Sequence, residues 1–225
     1  MLTSALRRSG ENNRFRETVL VGTLAIFCLG FSLFRCFYTQ SGVFLFLNWN
    51  LFLAFIPWAM TSLAMINPNI QKAKITIFIL LGSWLLFFPN APYILTDLFH
   101  LRFKTGMPIW FDLILILSFA WTGLLFGFLS LWDIEQLLSK SLKQRTVTLI
   151  SVALLFAASF GIYLGRYLRW NSWDILTEPS GIVYDIGHRF IHPFDHPRTW
   201  GMTLFMGVFL CMIYFSFRLV KRRSL

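Results

Sequence analysis

Charge is scarce in this chain: Asp, Glu, Lys and Arg make up 13% of its 225 residues, where soluble domains carry about 25%. That shortage excludes a water-exposed globule, because too little polar surface exists to cover one. Cysteine is scarce as well. Cys28, Cys36 and Cys211 each lie in an apolar run, which argues against a disulfide framework and suits small packing residues. No Gly-x-Ser-x-Gly elbow, phosphate-binding loop or dinucleotide fingerprint occurs, so soluble-enzyme templates supply no mechanism and no cofactor is implied. Low-complexity tracts, internal repeats and any stretch polar enough for an extramembrane domain are also missing. The balance of 20 Lys and Arg against 10 Asp and Glu comes without a nucleic-acid-reading motif, which excludes nucleic acid as the partner. Membrane lipids are the partners it implies, and no protein partner can be named.

What is present is apolar. The chain is 56% hydrophobic with 26 Phe, and its mean hydropathy is +0.64. A hydrocarbon core about 30 Å thick needs about 20 apolar residues in helical form. Six stretches qualify, at 18–38, 43–66, 75–88, 110–132, 146–168 and 200–219. Pro89 and Pro92 interrupt the third, which continues, kinked, to Leu95. The expected fold is all-α: a single integral membrane bundle of six helices over 18–219, with an outer loop at 169–199, short interfacial helices on that face, and basic tails at 1–17 and 220–225. The first span follows basic residues as a signal peptide would, yet no small-x-small cleavage site follows it, and Phe34-Arg35-Cys36 lacks the small residues of a lipoprotein signal. An uncleaved span is therefore expected.

Basic residues set the orientation. Assigned to alternate loops, 13 fall on one side (among them Arg7, Arg8, Arg14, Arg16, Lys72, Lys74, Lys140 and Lys143). The other side receives 7: Arg35, Arg102, Lys104, Arg166, Arg169, Arg189 and Arg198. Both termini are thus expected in the cytoplasm. At the inner end Asp133 and Glu135, beside Lys140 and Lys143, read as a solvated polar exit.

Two polar segments stand at the outer ends of the third and fifth spans. The first is FFPNAPYILTDLFHL, ending at Leu101. Its prolines remove two backbone donors, after which Asn90 can cap a new helix with Pro92 in its first turn. Tyr93, Asp97 and His100 then fall at i, i+4 and i+7 on one stripe. The second is LGRYLRWNSWDIL, which brings Arg166, Arg169, Asn171 and Asp174 to the same level. Asn48, Asn50 and Asp112 share that depth.

These two strings, with HPRTWG opening the last span, resemble the bacterial membrane-protein family catalogued as domain of unknown function 1361. The resemblance runs from about Leu24 to Phe217. It implies a multi-pass bundle in a bacterial cytoplasmic membrane and implies no activity.

In the outer loop Ser180 can cap an amphipathic helix reaching His192, lying in the interface plane. His188, His192 and His196 are four apart, a spacing that invites zinc. Pro193 interrupts the helix first, and Asp195 with Pro197 reads as the cap and first turn of the last span, so no metal site is expected.

Chemically, Asp97 and His100 form a candidate acid–base pair. Arg166 and Arg169 are candidate clamps for phosphate or carboxylate, and Asn90, Tyr93, Asn171 and Asp174 complete a candidate binding set. The simplest reading is that Asp97 or Asp174 neutralises Arg166 or Arg169 and locks the third span to the fifth. Beyond it stand three functions: engagement of an anionic lipid headgroup or lipid-linked phosphate at the outer interface, a membrane-embedded hydrolase or transferase, and a small-solute transporter.

Overall fold

The computed structural model describes residues 2–67, 74–101 and 106–223, with side chains described within 14–67, 75–101 and 106–221. Lys72, Arg102 and Lys104 of the charge count lie outside the described residues, as do the side chains of Arg7, Arg8, Lys74, Arg222 and Arg223. The elements are α1 (Leu2–Thr39), α2 (Phe46–Ile66), α3 (Lys74–Phe87), α4 (Asn90–Tyr93), a 3₁₀ helix (Ile94–His100), α5 (Ile109–Ser139), α6 (Gln144–Tyr167), α7 (Asp174–Thr177), α8 (Pro179–Ile191), a 3₁₀ turn (Pro193–Asp195) and α9 (Pro197–Arg223). Among the described residues there is no strand. Six helical segments are long and apolar enough to cross a bilayer: Arg14–Thr39, Phe46–Ile66, Ile75–His100, Ile109–Ser139, Gln144–Tyr167 and Pro197–Lys221. The protein is a multi-pass helical membrane protein, as its composition requires.

One helix organises the rest. Within its apolar window α5 is 72% buried, against 22–44% for the other five spans, so α5 is the axis around which they pack. α2 lies along one side of it, α1 and the broken third span along others, while α9 packs chiefly on α6. Outward-facing side chains such as Ile26, Phe78 and Phe205 are apolar and exposed, which only a hydrocarbon surround makes stable. The third span divides into α3, α4 and a 3₁₀ helix because Pro89 and Pro92 cannot donate to the α ladder. It reaches His100, five residues past the expected end.

Several local expectations are corrected. Pro89, not Asn90, precedes α4; the Asn90 side chain instead donates back to Phe87 O and across to Ser172 Oγ. α8 starts at Pro179, one residue before the expected Ser180 cap, because proline's fixed φ and missing N–H suit a first helical position. Asp195 belongs to a separate 3₁₀ turn and does not cap α9.

The largest correction concerns Asp133 and Glu135, which are 2% and 5% exposed and not solvated. α5 runs on to Ser139, so its end is still enclosed by four helices. Arg14 donates to both oxygens of Asp133 at 3.0 and 2.8 Å, and Thr61 donates to the same carboxylate at 2.9 Å. Arg218 pairs with Glu135 at 3.1 Å, Ser151 donates to it at 2.6 Å, and Lys221 meets Glu17 at 2.8 Å. These contacts bring the start of the first span, the ends of α2 and α5, and the last turns of α9 to one end of the bundle. The polar motifs lie at the opposite end.

Candidate functional site

At that opposite end the 3₁₀ helix changes the pitch that the sequence suggests and keeps the result. Three residues per turn set Asp97 above Ile94 and below His100, and Thr96 above Tyr93. Arg166, in the last turn of α6, reaches across to Tyr93, Thr96, Asp97 and His100. Its Nη2 donates to Asp97 Oδ1 at 2.5 Å, its Nε to Thr96 Oγ1 at 2.8 Å, and its Nη1 to His100 Nε2 at 2.9 Å. Its guanidinium lies 4.5 Å from the centroid of the Tyr93 ring. A guanidinium only donates, so His100 Nε2 is the acceptor. The second Asp97 oxygen accepts from Asn50 Nδ2 of α2 at 2.8 Å. Asp97 is 1% exposed and the Arg166 side chain 12%, whereas His100 and the neighbouring Phe99 are exposed.

The cluster therefore joins Tyr93, Asp97, His100 and Arg166 and leaves other expected members aside. Arg169 has φ 62°, the left-handed region, as the chain turns out of α6. That turn removes it from the Arg166 face, and it is exposed. Asn171 is also separate: its backbone N–H and its Nδ2 both donate to Asp174 Oδ2, at 2.7 and 3.1 Å. Asp174 thus closes a local turn ahead of α7 and does not neutralise either arginine.

Beside the cluster is a cavity of about 490 Å³, in the size range of small-molecule sites. α2, α3, α4, α6 and the segment through α7 and α8 surround it. Asn50, Asn90, Tyr93 and Asn171 line it, so two residues of the polar cluster, Asn50 and Tyr93, are shared between cluster and cavity.

Two features escaped the sequence reading. Thr96 is a partner of Arg166 that an α-helical stripe does not include. Arg35 and Asp112 form a two-bond pair, Nε to Oδ1 at 2.6 Å and Nη2 to Oδ2 at 3.2 Å, at 1% and 0% exposure. The Arg35 guanidinium also lies 4.4 Å from the Phe44 ring centroid. A lone arginine and a lone aspartate at the same end of two apolar runs were the available signal. In the loop between α6 and α9 His188 Nδ1 and His196 Nε2 are 2.8 Å apart, and no group of three or more His, Cys, Asp or Glu able to hold a metal occurs among the described residues.

A family model described as a protein of unknown function (DUF1361) matches residues 49–213, which span both polar motifs and the cavity. No curated protein and no solved structure matches the chain.

Proposed function

The chain belongs to this family of unknown function, and from that premise we propose that it is a protein of the bacterial cytoplasmic membrane, both termini cytoplasmic, whose outer polar site engages the phosphate of an anionic lipid headgroup or of a lipid-linked phosphate. The observation that carries the reading is the seating of Arg166. Three partners on the 3₁₀ helix hold its guanidinium in one orientation, and its other two N–H groups make no hydrogen bond among the described residues. A guanidinium fixed in advance suits a tetrahedral oxyanion, because little entropy is lost when the anion arrives. Arg169, exposed at the turn that follows, offers a second cation at the same level.

The hydrolase or transferase alternative draws less support. Arg166 stands between Asp97 and His100, and the His100 nitrogen that faces the cluster already accepts its bond. Transport draws less as well, since the buried ion pairs occupy the two ends of the bundle.

The test compares phospholipids with identical chains and different headgroups, by native mass spectrometry of the purified protein. Anionic lipid is expected to be retained over zwitterionic lipid, and Arg169→Gln combined with His100→Gln to reduce that preference about tenfold or more, the worth of one charge-assisted hydrogen bond. Equal retention of both lipids would sink the reading.

A further inference from the structure

The cavity beside the cluster has a chemistry of its own. None of the side chains lining it is charged. Its walls are apolar, with Leu53, Leu85, Phe160, Leu164, Ile182 and Ile186 among them. Its polar lining is dominated by three amides, and their orientations are fixed by partners that accept here: two carboxylates, a carbonyl, and the Ser172 hydroxyl, whose own proton goes to Leu86 O. Asn50 Nδ2 points to a carboxylate oxygen of Asp97, Asn171 Nδ2 to one of Asp174, and Asn90 Nδ2 to the carbonyl of Phe87 and to Ser172 Oγ. An amide so held must turn its oxygen the other way. None of these three oxygens accepts a hydrogen bond among the described residues. The hydroxyl of Tyr93, another lining residue, has no hydrogen-bond partner among them either.

We propose that this cavity binds the uncharged, hydroxyl-bearing part of an amphiphile: a polyol or sugar attached to an apolar tail. A hydroxyl both donates and accepts, so it can satisfy the amide oxygens, the Tyr93 hydroxyl and the remaining amide N–H groups together. A phosphate or carboxylate offers only acceptors, and no cation stands in the lining to meet it. The aromatic rings of Trp49 and Trp170, both in the lining, give apolar faces against which a polyol can pack. The inference rests on the reading above for one point, that any phosphate on the same ligand stays outside, at Arg166 and Arg169. It adds what enters: hydroxyls at the amide end and a hydrocarbon tail along the leucines and isoleucines. The glycerol headgroup of a phospholipid and the sugar of a glycolipid both carry this chemistry.

Gly82 provides the test. It lies in α3 and lines the cavity, and a Cβ built there meets nothing within 4 Å. Gly82→Leu therefore obstructs the cavity wall without a backbone clash and favours the helix, whereas Gly82→Ala leaves most of the space open. The full-length protein, purified in dodecylphosphocholine, is titrated with three probes of identical chains. These are phosphatidylglycerol (charge and hydroxyls), phosphatidylmethanol (charge, no hydroxyl) and galactosyl diacylglycerol (hydroxyls, no charge).

The expectation is that phosphatidylglycerol binds at least about tenfold more tightly than the equally charged phosphatidylmethanol, from one to two hydrogen bonds, and that the galactolipid binds although it has no charge. Gly82→Leu should erase that difference, Gly82→Ala should keep it, and Tyr93→Phe should reduce it. Thermal melting confirms that each variant is folded. Tighter binding of the galactolipid points to a sugar as the source, and tighter binding of phosphatidylglycerol to a glycerol headgroup.

Phosphatidylmethanol binding as well as phosphatidylglycerol, or a folded Gly82→Leu protein that keeps the preference, would overturn the proposal. The two readings separate. Sensitivity of phosphatidylglycerol binding to Arg169→Gln, with none to Gly82→Leu, sinks the cavity inference alone. The reverse pattern supports the cavity and sinks the anion site.

Discussion

Asp97 has both oxygens occupied, one by Arg166 and one by Asn50, and at 1% exposure it has almost no water to fall back on. Removing either charge strands the other in a low-dielectric site, which costs about 3–5 kcal/mol for a buried pair, whereas removing both costs much less. Asp97→Asn and Arg166→Met are thus expected to be strongly non-additive in reversible unfolding in micelles, with the double variant more stable than at least one single variant. Additive losses would mean that the two motifs stand independently. This contact was legible in the sequence because two charged motifs close alternate spans on one face and so share a depth. Arg169 was not separable from Arg166 by the same reasoning. Helical spacing assumes that the helix continues, and the chain leaves it at Tyr167. Asp133 and Glu135 were misread for a related reason. Their sequence neighbours Lys140 and Lys143 were visible, while their real partners Arg14 and Arg218 arrive from the ends of the chain.

For whole elements, hydropathy located all six spans to within a few residues at most ends, and the prolines marked the break in the third. Neither reports how closely two helices approach. The broken segment seats on α5 through Gly123 and Gly127: a Cβ at Gly123 would come within 2.9 Å of Ala91 O, and one at Gly127 within 2.8 Å of the Ala91 Cβ. Backbone cannot yield as a flexible side chain can, so Gly123→Val should push α4 and the 3₁₀ helix off α5. Overpacking of this kind costs about 1–3 kcal/mol. The expected result is a lower midpoint of thermal unfolding together with weakened lipid retention, because Asp97 and Tyr93 ride on the displaced segment. Gly187→Val, placed where a Cβ meets nothing within 4 Å, should change the midpoint far less. Equal effects of the two substitutions would show that the close approach is unimportant. For α8, the amphipathic pattern was visible in the sequence, but the burial of Arg189 was not. That side chain is held by Asp185 one turn earlier, at 2.9 Å, and Asp185 in turn accepts from Trp170 at the cavity wall.

At the scale of the whole molecule, six spans and two charged ends leave one question of direction, and the distribution of basic residues is the argument for the orientation proposed above. Arg14, Arg218 and Lys221 are bound to Asp133, Glu135 and Glu17 at the end where the first and last spans meet, so part of the basic excess on that side is internally neutralised. The exposed Lys143 and Arg145 after α5 remain, and basic residues flanking spans resist translocation. At the other end Asp97, Asp112 and Asp185 pair with Arg166, Arg35 and Arg189, leaving that face close to electrical balance and easier to carry across. Both effects favour the proposed orientation, which predicts the termini in the cytoplasm and the cavity toward the outer leaflet. In a protein whose three native cysteines are replaced, a cysteine at exposed Glu178 should react with a membrane-impermeant maleimide added to intact cells. A cysteine at exposed Lys143 should react only after the membrane is opened. Labelling in the opposite order would turn the bundle over, placing the Arg166 cluster and the cavity at the cytoplasmic leaflet and changing which lipids can reach them.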